Sequence, residues 1–111
     1  MSKVEITRVG YQTLRMLTRY MTQFIGIDNS RDLAHRLLSI CESELSENPN
    51  QCPVCHELEM LGVCDYKQLT IDKYKVLYRY DQAQDRVFIT AFMRHKQSAN
   101  QLLIDHSLLA H

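Results

Sequence analysis

Residues Asp72–Asp81 read D-K-Y-K-V-L-Y-R-Y-D, and their side chains alternate between two sets. One set is Tyr74, Val76, Tyr78 and Tyr80, and the other is Lys75, Leu77 and Arg79. Successive side chains of a strand point to opposite faces of a sheet, and aromatic and β-branched residues are enriched in strands. The stretch therefore predicts a central strand whose tyrosine face packs on a core, an interpretation we prefer to a base-stacking surface that would also include Tyr66.

A second alternating stretch lies immediately after this strand. The polar run Asp81–Asp85 predicts a turn, and Arg86–Met93 then alternates apolar and polar side chains. Asp72-Lys73 predicts a further turn before the central strand, and the period-two pattern begins at about Val63. We therefore predict three successive strands that form a meander.

The amino-terminal half predicts one short strand and a pair of helices. Val4–Thr7 alternates apolar and polar residues, as an opening strand does. Apolar residues recur every three or four positions over about Tyr11–Ile25, and Gly26 supplies a stop. Asn29-Ser30 contains two good helix caps and Asn48–Asn50 contains a proline, so we expect a second helix between them.

The remaining segments complete the predicted fold. Gln51–Gly62 has no clean period and predicts a structured loop, whereas Ser98–Leu109 is loosely helical. One strand, a helical hairpin and a three-stranded meander make an α+β fold, in which the helices pack on one small, mostly antiparallel sheet. A length of 111 residues suits one domain, which we place at 1–111.

The composition is that of a soluble globular chain, with 45% hydrophobic and 23% charged residues. Thirteen basic and thirteen acidic residues cancel, which argues against strong binding to nucleic acid or to an acidic membrane. Neither an apolar run of eighteen residues nor a signal-peptide pattern occurs. We therefore expect a cytoplasmic location, no membrane contact and reduced cysteines.

The most specific chemical motif is Cys52-Pro53-Val54-Cys55-His56, which is spaced like half of a structural zinc knuckle. The other cysteines, Cys41 on a predicted helix face and Cys64 in a predicted strand, lack a second paired spacing. A redox motif would open a helix after a strand, whereas this one follows a helix and a loop. We predict no metal and no cofactor, and zinc at Cys52, Cys55 and His56 is the weaker alternative.

A basic cluster ends the last predicted strand at Arg94, His95, Lys96 and Gln97. If strand alternation brought Lys75 to the same face, such a set could hold a phosphate group and move a proton. The simpler interpretation is a solvated sheet edge, where lysines also discourage aggregation. No catalytic triad order or glycine-rich phosphate loop accompanies the cluster.

The sequence resembles the ParE/RelE toxin superfamily at two places. Asp72–Asp81, with its V-L-Y-R core, is similar to the central strand of that family, and Val87–Gln97 is similar to its closing strand and basic end. The order of strand, helical hairpin, three strands and carboxy-terminal segment also matches. The resemblance implies a ParE/RelE-like fold and the toxin of a bacterial type II toxin–antitoxin module, of the kind that serves plasmid stabilisation.

Two activities occur in that family: ribosome-dependent cleavage of messenger RNA by RelE-like members, and inhibition of DNA gyrase by ParE-like members. In the RelE-like pattern, two arginines and a tyrosine stand where this chain has Lys75, His95 and Gln101. A sequence pI near 6.9 also does not suit a protein that docks among ribosomal phosphates. We therefore predict a ParE-like gyrase inhibitor that acts by protein–protein contact and not as an enzyme.

Within this resemblance, exposure and charge suggest where the sites lie. For gyrase inhibition, we expect the contact patch at Arg94, His95, Lys96 and Gln97. For the alternative, a metal-independent endoribonuclease, Lys75 and Arg94 would hold phosphate and His95 would act as acid or base. An inactive relative that keeps antitoxin binding is a third possibility. In each case we expect a cognate antitoxin to cover exposed apolar side chains, which are Leu102, Leu103, Leu108 and Leu109.

Overall fold

The structure is a computed structural model, and it describes residues 1–105. In chain order, the elements of these residues are β1 (Lys3–Ile6), α1 (Arg8–Ile25), α2 (Ile27–Glu47), α3 (His56–Glu59), β2 (Lys67–Ile71), β3 (Tyr74–Asp81), β4 (Arg86–Arg94) and α4 (Ala99–Asp105). The predicted order of strands and helices is confirmed, except that α3 lies within the predicted loop Gln51–Gly62. Among the described helices, none is long and apolar enough to cross a membrane.

The described strands form one mixed sheet in the order β1-β4-β3-β2. β2, β3 and β4 pair antiparallel as the predicted meander, whereas β1 pairs parallel to β4. The parallel pair follows from the helical hairpin, which carries the chain from β1 across the sheet. Asp72 and Asp85 lie in the two turns with a φ of 52°, a conformation that aspartate tolerates better than most residues.

The first helix begins three residues earlier than the apolar period predicts. Thr7 caps it, because its hydroxyl accepts a hydrogen bond from the N–H of Gly10 at 3.0 Å and donates one to the carbonyl of Ile89 at 3.1 Å. A Cβ at Gly10 would lie 2.6 Å from the Ile89 carbonyl oxygen. The absence of a side chain at Gly10 therefore allows the start of α1 to lie directly against β4.

A single residue, Gly26, connects the two helices of the hairpin, with a φ of 84°. The predicted stop at Gly26 is confirmed, but the predicted caps are wrong, since α2 already begins at Ile27. Asn29 donates instead to the carbonyl of Ile25 at 2.9 Å, and Ser30 donates to the carbonyl of Thr18. Both side chains thus bind α1 to α2 across the connection.

The main hydrophobic core lies between the hairpin and one face of the sheet. It joins Leu37, Cys41 and Leu45 of α2 to Tyr74, Val76, Tyr78, Val87, Ile89 and Phe92 of the sheet, among others. The prediction that the tyrosine face of β3 belongs to the core is confirmed for Tyr74 and Tyr78, and the Tyr78 hydroxyl donates to the carbonyl of Pro49 at 2.9 Å.

A second, smaller core covers part of the opposite face of the sheet. It consists of Cys55, Leu58, Leu77, Ala91, Met93, Ala99 and Leu102, which come from α3, β3, β4 and α4 and their flanks. The prediction placed helices against one face only and is incomplete in this respect. Because both faces are covered here, Lys75 and Leu77 are buried together with Tyr74 and Val76.

Candidate target-binding surface

The four residues of the predicted contact patch form the end of β4 and the turn that follows it. The N–H of His95 donates to the carbonyl of Lys73 at 2.7 Å, and the N–H of Gln97 donates to the carbonyl of Arg94 at 3.0 Å. The Gln97 side chain in turn accepts from the N–H of Arg94 at 3.3 Å. The turn is therefore held to the β2–β3 turn, while the side chains of His95 and Lys96 remain exposed.

Arg94 is engaged by the first helix. Its guanidinium carbon lies 4.0 Å from the centroid of the Tyr20 ring, and its Nη1 lies 3.3 Å from the Tyr20 hydroxyl. A guanidinium over an aromatic face is a favourable cation–π contact. Sequence reasoning missed Tyr20, because it lies 74 positions from Arg94 and off the buried face of α1. No local signal in the sequence reports such a contact.

An open groove of about 520 Å³ lies beside this turn. Its walls are Met21 of α1, Asp72, Lys73 and Tyr74 of the β2–β3 turn, and Arg94, His95 and Lys96. Asp72 forms an ion pair with Arg36 of α2, which leaves the positive charges of Lys73, Arg94 and Lys96 in excess. The groove can therefore bind an acidic protein surface or another anionic group.

Lys75 does not belong to this surface. In the β3–β4 register Tyr74 is opposite Arg94 and Lys75 is opposite Met93. Directly opposed residues share a face and consecutive residues alternate, so Lys75 and Arg94 project from opposite faces of the sheet. Lys75 is only 8% exposed and lies on the side of α3 and α4. The structure thus brings Arg94 and His95 together and separates both from Lys75.

The start of α4 is held by one carboxylate of α3. Glu57 accepts hydrogen bonds from the Ser98 hydroxyl at 2.8 Å and from the N–H groups of Ala99 and Asn100 at 3.1 and 2.6 Å. Burial acts to raise the pKa of Glu57, but these hydrogen bonds and the nearby charge of Lys75 together hold the pKa below its ordinary value. Sequence reasoning did not identify this contact.

Of the four leucines expected to bind the antitoxin, Leu102 is placed differently from the prediction. Leu102 is only 4% exposed and packs in the second core, so the expectation that it is free for a partner is wrong. It is buried because α4 folds back on the sheet face that the sequence analysis left open. The side chain of Leu103 is not described, and Leu108 and Leu109 lie outside the described residues.

The residues of the zinc alternative lie apart in the fold. Cys52 packs in the main core and Cys55 in the second core, while His56 is exposed. Within residues 1–105, no three His, Cys, Asp or Glu side chains converge in a way that could hold a metal ion. Burial, with a smaller effect of Cys52, raises the pKa of the Cys41 thiol to about 12. Cys64, predicted in a strand, is exposed in the loop before β2.

Solved structures of toxin–antitoxin proteins share the fold of this chain. A chain of the toxin–antitoxin complex RelBE2 from Mycobacterium tuberculosis superposes with a TM-score of 0.63 at 16% identity, over 86% of this chain and 93% of that one. A chain of the chromosomal ParDE system of P. aeruginosa superposes with a TM-score of 0.67 at 15% identity. The match covers 85% of this chain and 96% of that one. The chain has the ParE/RelE toxin fold. The isolated RelE toxin of E. coli has this fold too, with a TM-score of 0.52 at 13% identity. That match covers 97% of this chain and 99% of the RelE chain.

The likeness to the ParE/RelE fold is one of structure. No protein-family model and no curated protein sequence matches the chain. Identities of 13–16% establish the fold, and the activity of the chain has to be argued from its own residues.

Proposed function

We propose that this chain is the toxin of a type II toxin–antitoxin pair, that a cognate antitoxin neutralises it, and that it inhibits DNA gyrase by binding. Two of the similar structures are described as toxin–antitoxin systems and a third as an isolated toxin. These relatives support the toxin and the antitoxin partner, and they include both RelE and ParE proteins. The choice of gyrase therefore rests on the candidate site.

The separation of Lys75 from Arg94 is the observation that favours binding over catalysis. A metal-free nuclease needs groups that stabilise phosphate and groups that move protons at one position. Lys75 and Arg94 project from opposite faces of the sheet, and Lys75 is buried beside Glu57. The catalytic set of the nuclease hypothesis is thus not assembled, whereas a binding surface at the end of β4 needs only Arg94 and its neighbours.

The charge of the chain supports the same choice. Thirteen basic and thirteen acidic residues give no net charge, and affinity for nucleic-acid backbones depends strongly on net positive charge at the interface. One local excess of positive charge lies at Lys73, Arg94 and Lys96. A local patch of this size suits an acidic region of a protein target.

One observation favours the nuclease as the second candidate. His95 is exposed beside the cationic groove, where an imidazole and three cations could still meet a phosphate. In that mechanism His95 would serve as acid or base without help from Lys75.

Replacement of His95 by alanine tests the proposal against this candidate. The wild-type chain and the variant are each induced in a bacterial host, and growth, plasmid topology and messenger RNA integrity are measured together. Binding predicts growth arrest with altered topology in both proteins, with the potency of the variant within about tenfold of wild type, since rim charges contribute modestly. RNA cleavage that the alanine variant abolishes would establish the nuclease instead and overturn gyrase binding.

A matched pair of charge reversals locates the surface. Lys96→Glu inverts an exposed charge of the groove, whereas Lys3→Glu inverts an exposed charge on β1, remote from it. We expect the first variant to inhibit gyrase more weakly than wild type and the second to retain the potency of wild type. Equal potency of the two variants would remove the end of β4 from the proposed contact.

A further inference from the structure

A cavity of about 360 Å³ lies between α1 and the end of β4. Its apolar lining includes Leu17 of α1, Phe92 of β4 and Leu102 of α4, which are all buried in the fold and which we call the floor of the cavity. Sites for small molecules in proteins are concave, mostly apolar and about 300–1,000 Å³ in volume. The cavity therefore has the size and the kind of floor that a small ligand requires.

The cavity lies along an edge of β4 whose backbone donors are already bonded. β1 pairs with β4 over Arg86–Ile89, so no described strand covers this edge of β4 beyond that range. The N–H of Phe92 donates instead to the hydroxyl of Thr13 at 3.0 Å. The N–H of Arg94 donates to the side chain of Gln97 at 3.3 Å, and both acceptors line the cavity. An added strand would find these donors occupied, so the site suits a ligand that binds through side chains.

Two arginines line the cavity beside its apolar floor. They are Arg19 of α1 and Arg94 of β4, and no lining residue within 1–105 is acidic. Neither arginine forms an ion pair with a carboxylate of the described chain. The ring and hydroxyl of Tyr20 hold the Arg94 guanidinium in place without neutralising its charge. The cavity therefore presents two uncompensated positive charges next to apolar side chains.

We propose that this cavity binds a small organic acid with an apolar tail. The carboxylate binds Arg19 and Arg94, because guanidinium groups form short, charge-assisted hydrogen bonds with carboxylates. The tail packs on the floor of Leu17, Phe92 and Leu102, where its apolar surface is removed from water. The charge and the tail of such a ligand each contact the lining that their chemistry requires.

Three other classes of ligand suit the lining less well. A cation would meet two arginines of like charge, and a neutral apolar molecule would leave both charges uncompensated. Inorganic phosphate would pair with the arginines but has no apolar part to cover Leu17 and Phe92. A carboxylic acid with an apolar tail is the class that uses both parts of the lining.

Arg94 connects this cavity to the proposed target-binding surface, because it also lines the groove beside the β2–β3 turn. A carboxylate bound to Arg94 offsets its positive charge and so weakens its attraction for an acidic target. Occupancy of the cavity should therefore weaken target binding. This consequence rests on the proposed function, whereas binding of the organic acid does not.

Titration of the full chain with octanoate tests the inference, and octan-1-ol and octylammonium keep the tail but change the charge. Backbone amide chemical shifts measure affinity, and nuclear Overhauser effects to Leu17, Phe92 and Leu102 locate the tail. We expect octanoate to bind with a Kd of about 1 mM or below, as a ligand of about ten non-hydrogen atoms allows. The alcohol and the amine should bind at least about tenfold more weakly. Equal binding of the alcohol, or contacts with the exposed Met60 and Leu61 instead, would overturn the inference.

A series of acids separates the contribution of the tail from that of the charge. From butyrate through hexanoate to octanoate, each added methylene should raise the affinity by up to about fourfold. Acetate and inorganic phosphate, which carry charge without a tail, should give no saturable shifts at the cavity. Affinity that does not depend on tail length would overturn the assignment of the floor.

Matched arginine variants locate the carboxylate. Arg19→Gln should weaken octanoate binding by at least about fivefold, whereas Arg15→Gln, one turn earlier on α1 and outside the cavity lining, should leave it within about twofold. Both arginines are exposed, so both variants should fold, and their amide spectra check this. Equal effects of the two variants would overturn the inference.

The same protein added to a gyrase assay keeps the two proposals distinguishable. If octanoate binds in the cavity but the chain leaves gyrase unaffected, the proposed function fails and the site stands. If the chain inhibits gyrase but octanoate does not bind in the cavity, the inference fails and the proposed function stands.

Discussion

Replacing Glu57 with alanine removes the acceptor that holds the start of α4 against α3. Its carboxylate accepts three hydrogen bonds, at 2.8 Å from the hydroxyl of Ser98 and at 3.1 and 2.6 Å from the N–H groups of Ala99 and Asn100. Loss of a capping side chain costs about 0.5–2 kcal/mol. All three bonds hold the start of one helix, so the loss should fall in the upper half of that range. We therefore expect Glu57→Ala to lower the free energy of local opening of α4 by about 1–2 kcal/mol.

Hydrogen exchange measures this local opening directly. The N–H of Leu102 donates to the carbonyl of Ser98 at 3.1 Å, so its exchange reports the first turn of α4. A loss of 1–2 kcal/mol corresponds to about 5- to 30-fold faster exchange. Glu59→Ala is the control, because Glu59 is exposed on the same short helix and its side chain makes no hydrogen bond within residues 1–105. A change below about twofold at Leu102, or an equal change in the control, would refute the role of Glu57.

The same carboxylate makes the attachment of α4 depend on pH. The pKa of Glu57 is depressed in the folded chain, so its contribution is present above the ordinary carboxyl pKa and is lost as the pH falls through the depressed value. Protection of Leu102, corrected for intrinsic exchange, should therefore decline in acid below about pH 4.5, the ordinary value. Glu57→Gln should show weaker protection at neutral pH and little further decline in acid.

Three further predictions concern packing and exposure. Gly10→Ala should lower the free energy of unfolding, measured in urea, by about 1–2 kcal/mol, because the clash with the Ile89 carbonyl outweighs the higher helix propensity of alanine. A stabilised variant would contradict the close packing of α1 on β4. Leu102→Ala should lower the free energy of unfolding by about 2–4 kcal/mol, whereas Ile104→Ala, at a half-exposed position, should lower it by less than about 0.5 kcal/mol. Similar losses in the two variants would argue against burial of Leu102. A thiol reagent should modify Cys64 rapidly in the native chain and the three buried cysteines only on unfolding, and rapid reaction of a second thiol would be inconsistent with the described cores.

The strands and helices followed from local patterns, and the second core did not. Alternation in Asp72–Asp81 reports correctly that Tyr74 and Tyr78 face the core. It also suggests that the other face is open, because Lys75 and Arg79 are charged. Lys75 is nevertheless buried, since α3 and α4 reach this face through contacts such as Glu57 with Asn100. These contacts join short segments far apart in sequence, and neither segment has a strong period.

The candidate site was predictable only where it is continuous in sequence. The contact patch from Arg94 to Gln97 is one turn, so its residues lie together in any fold that ends a strand there. The separation of Arg94 from Lys75 depends on the β3–β4 register, which turn geometry and packing determine. The engagement of Arg94 by Tyr20 depends on how α1 crosses the sheet, and no short-range pattern encodes that crossing.

The most direct test of the central claim is a supercoiling assay with purified gyrase and relaxed plasmid, to which the chain is added with and without its cognate antitoxin. The account predicts that the chain inhibits supercoiling or traps linear DNA, and that the antitoxin relieves the effect. Unaffected supercoiling, at concentrations of the chain that arrest growth in cells, would contradict gyrase as the target.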